Sequence, residues 1–113
     1  MNQAQALHRE AMTLAHDAFS AQREGNFQQY LTLSRQAFEK EKAAAWLLFD
    51  KFDAEPTRSV LFRSAAQLAF NCGLMRDTEQ LVAAALVGNP PAEIMRELRQ
   101  LSKSVLPAFE QAA

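Results

Sequence analysis

Apolar residues recur along the chain at steps of three and four, and short polar or Gly/Pro breaks separate the runs. The first stripe is Leu7, Ala11, Leu14, Ala15, Ala18 and Gln22, which predicts a helix over residues 3–24. Gly25 predicts its end, because Gly takes the left-handed conformation at no steric cost. Asn26 predicts the next cap, with Gln29 placed three residues on to reach back in a capping box. The second helix starts at Phe27, and its pattern extends to Phe52. Phe27, Tyr30, Leu31, Ser34, Ala37, Phe38, Glu41, Ala45 and Leu48 share one broad face, and Glu39-Lys40-Glu41-Lys42 reads as a solvated turn within it. Such a length is unusual for a globular helix, so a break near Ala43 is the alternative.

Asp53-Ala54-Glu55-Pro56-Thr57 interrupts the pattern, and Pro56 suits a first helical turn. A third helix is predicted from Pro56 to Cys72, with Val60, Leu61, Ser64, Ala65, Leu68, Ala69 and Cys72 inward. Gly73 stops it. The fourth runs from Met75 to Val87 with Leu81, Val82, Ala85 and Leu86 inward, and Gly88-Asn89-Pro90-Pro91 ends it. The fifth begins at Pro91 or Ala92 on an Ile94, Leu98, Leu101, Val105 stripe, and Pro107 is expected to kink or end it. The expected fold is one all-α domain of antiparallel helical hairpins, residues 3–52 and 56–87, closed by a C-terminal helix over 91–112.

Composition agrees with that class. The 113 residues suit one core, and 49% hydrophobic with 22% charged is a globular balance. Twelve basic and thirteen acidic side chains are spread evenly, with no basic stripe, which argues against a nucleic-acid partner. No apolar run exceeds that of Ala43 to Phe49, too short to span a bilayer, and the polar start lacks a signal-peptide pattern. Cytoplasmic residence is therefore expected. A single Cys72 leaves no intramolecular disulfide.

The two hairpins are alike at an offset of 48 residues. Gly25 pairs with Gly73, Phe27 with Met75, Ala37 with Ala85 and Phe38 with Leu86. Together with Phe62, Ala65, Ala66, Ala69, Leu81, Asn89 and Pro90, this pattern resembles the tetratricopeptide-repeat (TPR) family. The likeness covers about two-thirds of the chain, and Glu55 to Ala66 looks like segments of bacterial TPR-like proteins, which carries no activity with it. Tyr30 stands where the family has a small residue, and the offset exceeds the family's 34 residues. The resemblance implies a right-handed array of hairpins that holds a partner segment in a concave groove. On the third helix it puts Arg63, Gln67 and Asn71 in that groove. The matching places on the first helix are Ala15, Phe19 and Arg23, and Phe70 adds apolar floor.

Catalytic signatures are missing from the sequence. His8 and His16 lack the one-turn spacing of helical zinc ligands, so no metal or cofactor is expected. Cys72 falls at a helix C-terminus, the wrong end of the dipole for a thiolate, and reads as a buried structural residue. The three Gly are isolated helix stops and form no phosphate loop. Glu39/Glu41 and Asp50/Asp53 read as solvated faces. Trp46, Phe49 and Phe52 form an aromatic stripe, read as core or as a homodimer seam. The expected function is a non-enzymatic module binding a protein segment, by way of Arg63, Gln67, Asn71, Phe70, Arg23 and Phe19. The alternatives are self-association through the second helix and a small-ligand sensor or enzyme.

Overall fold

The computed structural model describes residues 2–112, with side chains over 2–110. It is all-helical: α1 (Gln3–Arg23), α2 (Phe27–Leu47), a 3-10 turn (Phe52–Ala54), α3 (Thr57–Asn71), α4 (Met75–Val87) and α5 (Ala92–Ala112). The body measures 42 × 41 × 21 Å, and its thin dimension is that of two helical layers. No helix among the described residues is long and apolar enough to cross a membrane.

The caps form largely as the residue types dictate. Asn2 Oδ1 accepts the Gln5 N–H at 2.7 Å while Gln5 reaches back to the Asn2 N–H, a full capping box for α1. Asn26 Oδ1 accepts the Gln29 N–H at 3.2 Å. Gln29 does not reach the Asn26 backbone, however; its Oε1 takes the Asn26 side-chain amide instead. Gly25 and Gly73 end α1 and α3 at φ +78° and +76°. Around each, the same pair of bonds closes the turn. Gly25 N–H reaches Gln22 O and Asn26 N–H reaches Ala21 O; Gly73 N–H reaches Phe70 O and Leu74 N–H reaches Ala69 O. The 48-residue correspondence in the sequence is thus a correspondence of turn geometry.

Packing follows the smallest side chains. The buried residues of α1 are Ala4, Ala11, Ala18 and Ala21, those of α2 include Ser34, Ala37, Ala44 and Ala45, and α1 packs on α2 and scarcely elsewhere. Alanine at these steps lets two helix backbones approach closely. The main core lies between α2, α3, α4 and α5: Phe38, Leu61, Phe62, Ala65, Ala66, Leu81, Val82, Leu98 and Leu101.

Several sequence expectations are corrected. α2 stops at Leu47 and the chain turns twice before α3, so the pattern to Phe52 is not one helix. Phe27 and Leu31 are exposed, since α2 turns Ser34, Ala37, Phe38 and Glu41 inward. On α3 the buried face is rotated to include Arg58, Ser59, Phe62 and Ala66, leaving Ser64, Leu68 and Cys72 half-buried. Leu86 is exposed. α5 runs through Pro107 to Ala112. Phe109 is half-buried, with the Arg76 guanidinium 5.4 Å from its ring centroid.

Candidate functional site

Helices α1 and α3 both lie against α2 but scarcely touch each other. A cleft of about 180 Å³ opens between them. Ala15, Ala18, Phe19 and Gln22 of α1 form one wall; Tyr30 and Ser34 of α2 are the floor; Leu68 and Asn71 of α3 form the other wall. The short side chains of Ala15 and Ala18 leave room that Leu at those positions would fill.

The six groove residues expected from the sequence divide three ways. Phe19 and Asn71 line the cleft from opposite sides, and Phe19 is 55% exposed. Arg23 and Gln67 adjoin it. The Arg23 guanidinium lies 5.7 Å from the Phe19 centroid, and Gln67 Nε2 donates to Asn71 Oδ1 at 2.9 Å. Arg63 and Phe70 are elsewhere. Arg63 forms an ion pair with Glu97 of α5, and Phe70 packs against the main core. Arg23 has no carboxylate partner among the described residues, so the cation at the cleft mouth is Arg23, one turn beyond Phe19 on α1. The cleft thus offers an exposed aromatic face, a side-chain amide and an uncommitted guanidinium.

Phe49 and Phe52 of the aromatic stripe, with Phe62 of α3, surround Arg58. This side chain is fully buried, with Nε donating to Phe49 O at 2.9 Å, Nη2 to Ala84 O at 2.8 Å and Nη1 to Ala85 O at 3.4 Å. Its guanidinium lies 4.9–5.5 Å from the centroids of Phe49, Phe52 and Phe62. Trp46 packs edge-on against Phe62 and tilted against Phe49, both at 5.2 Å. A cation over aromatic faces is attracted by the ring quadrupoles, more strongly where water is excluded. Phe49 therefore belongs with the core, while Trp46 and Phe52 keep 40% and 50% of their surface exposed.

Glu55 completes this cluster. Its carboxylate accepts from the Ser59 N–H, the Ser59 hydroxyl and the Asn89 N–H at 2.8–3.0 Å. Burial pushes its carboxyl up, but the bonds from Ser59 and Asn89 and the charge of Arg58 outweigh that and hold it below its ordinary value. Neither Glu55 nor Asp53 forms a direct ion pair with Arg58, whose hydrogen bonds go to backbone carbonyls.

One pair was not legible in the sequence. Glu41 is fully buried, and both its oxygens lie 2.9 Å from His8 Nδ1. Glu41 is thus the opposite of a solvated turn residue. Its position in phase with Ser34, Ala37, Phe38 and Ala45 was the available signal. Cys72 is half-buried; burial raises its thiol pKa, with Arg35 lowering it and Glu39 raising it. No group of three or more His, Cys, Asp and Glu among the described residues is placed to hold a metal. Compared with protein-family models, with curated proteins and with solved structures, the chain finds no match in any of the three.

Proposed function

We propose that this protein is a non-enzymatic binding module that holds an extended segment of a partner protein in the α1/α2/α3 cleft. The observation that carries the reading is the cleft itself, with Phe19 and Asn71 facing across it and Arg23 unpaired at its mouth. The chemistry favours a segment with one apolar or aromatic side chain to cover Phe19 and a carboxylate for the Arg23 fork. A TPR-like arrangement of antiparallel hairpins in the cytoplasm is part of the same proposal. It draws support from the matching Gly25 and Gly73 turns at the 48-residue offset. The test is parallel affinity capture with wild type, Phe19→Ala and Arg23→Ala. A partner retained by wild type and lost from both variants, with unchanged melting temperatures, is the expected result. A partner set indifferent to both substitutions overturns the assignment to this cleft.

The competing reading is a homodimer through the end of α2. It is favoured by the exposed surface of Trp46, Leu47 and Phe52. Sedimentation over a concentration range separates the two readings: a strict monomer at tens of micromolar, on the order of the weak end of specific association, removes the dimer.

A further inference from the structure

Helix α1 closes one end of the body and α5 the other: α1 packs on α2, whereas α5 packs on α3 and α4. The flank of α1 that turns away from the Phe19 cleft forms a shallow groove with α2, made of two depressions that follow one another along the helices. On α1 it is lined by Glu10, Leu14, Asp17, Ala21 and Glu24, at steps of four and three. Asp17 and Glu24 have no cationic partner among the described residues. Glu10 pairs with Lys40 of α2 at 3.0 Å, and Arg9 stands beside them. The α1 numbers rise along the groove as the α2 numbers fall, from Lys40 beside Glu10 to Gln29 beside Asp17 and Glu24. The two helix dipoles therefore oppose, and the side chains set the field of the groove.

α5 presents a stripe of the same length to solvent. Leu98, Leu101 and Val105 are buried, and across the helix from them lie Arg96, Arg99, Lys103, Leu106 and Glu110, at steps of three and four. All five are exposed. The three cations have no acidic partner among the described residues, since Glu97 lies on another flank with Arg63. Each stripe spans about 21 Å of helix. Laid antiparallel, the two match position by position. Arg96 meets Glu24, Lys103 meets Asp17, and the exposed Leu106 meets Leu14. Small Ala21 leaves room for the Arg99 stem, and Glu110 arrives where Lys40 and Arg9 flank Glu10. A parallel arrangement sets Arg99 on Leu14 and Glu110 on Glu24, so charge selects the antiparallel one.

We infer that the α1/α2 groove binds a second copy of this chain head to tail, with the α5 stripe of one copy seated antiparallel in the groove of the next. The two sides of the contact are different surfaces, so each added copy leaves a groove at one end and a stripe at the other, and growth continues to a ring or a filament. The contact is separate from the Phe19 cleft and from the Trp46 and Phe52 surface. The experiment is sedimentation equilibrium of the full chain at about 10 mM ionic strength, where charges reach about 30 Å, and at about 1 M, where they reach about 3 Å. The expected result is a mean mass that rises with concentration over roughly 10–500 micromolar at low salt, and the 12.6 kDa monomer at high salt. Asp17→Lys/Glu24→Lys and Arg96→Glu/Lys103→Glu are each expected to stay monomeric at low salt, with melting temperatures near that of wild type because all four side chains are exposed. Mixed one to one, the two variants are expected to assemble again, since every reversed charge then meets its opposite. A wild type that stays monomeric across the low-salt range overturns the proposal. So does assembly that persists in either variant alone or at high salt, which is the behaviour of an apolar dimer at the end of α2. A mixture that remains monomeric overturns it as well.

Discussion

Arg58 and Arg63 lie five residues apart on one helix, and their surroundings are opposite. Arg58 is fully buried, caged by three rings, and spends its hydrogen bonds on the carbonyls of Phe49, Ala84 and Ala85. Arg63 is partly exposed and meets only the half-exposed carboxylate of Glu97. Five residues turn a helix by about 140°, which takes a side chain from one face to another. The first arginine holds three chain segments together, while the second decorates the surface between α3 and α5. Identical chemistry thus has a value set by desolvation and by what would be left unpaired without it.

Removing Arg58 breaks this contrast most directly. Arg58→Met is expected to cost about 1–3 kcal/mol for each of the Phe49 and Ala84 carbonyls it leaves without a donor, while filling part of the volume. Arg58→Lys is expected to recover only a minor part, because one ammonium cannot serve carbonyls in three directions. Urea denaturation measures both. Next comes Gly88→Ala. A methyl group there falls 2.5 Å from Arg58 Nη1 and 2.8 Å from Glu55 Oε2. Overpacking of this kind costs about 1–3 kcal/mol, and a melting curve of the single variant checks it.

Acid sharpens the same comparison. Glu55 titrates below its ordinary value when folded, so its contribution is present above the unfolded value and is lost as pH falls through the folded one. Stability is therefore expected to decline on the acid side of about pH 4.5, the ordinary value. Glu55→Gln is expected to be less stable than wild type near neutrality, with the gap narrowing toward low pH. A gap that stays constant between pH 7 and 3 contradicts the assignment. The smallest effect is that of the surface pair. A double-mutant cycle on Arg63→Ala and Glu97→Ala is expected to give a coupling of about 0.2–1 kcal/mol, reduced by salt. A larger, salt-insensitive value makes Arg63 a second anchor.

The sequence singled out Arg63 for the groove and offered Arg58 only as a partner for Glu55 or Asp53. Arg63 stood out because its steps to Gln67 and Asn71 are local. Arg58 did not, because its acceptors on α4 are 26 and 27 residues away and are backbone atoms with no residue-type signature. The same reason hid His8–Glu41, whose members are 33 residues apart. The turns between helices were legible at Asn26, Gly25 and Gly73, which act on neighbours within five residues. The end of α2 was not, because Trp46, Phe49 and Phe52 keep a helical three-residue spacing while the chain leaves the helix after Leu47 and folds Phe49 and Phe52 around Arg58. Of the six expected groove residues, Phe19 and Asn71 line one cleft and Arg23 adjoins its mouth. The choice of cation depended on Glu97, which only the packing of α5 reveals.

The alanine seam of α1 has a kinetic consequence. Each buried alanine removes little more than a methyl group from water, about 0.8 kcal/mol per group of that size, and α1 rests on one neighbour. The segments around Phe49, α3 and α4 are tied together by Arg58. By contrast, α1 is held to one neighbour by these small contacts, the His8–Glu41 pair and the exposed Lys40–Glu10 pair, and it is expected to separate first in local opening. The wall carrying Phe19 and Arg23 is therefore free to breathe against a fixed α3. A bulky segment gains entry by a partial opening that leaves the main core closed.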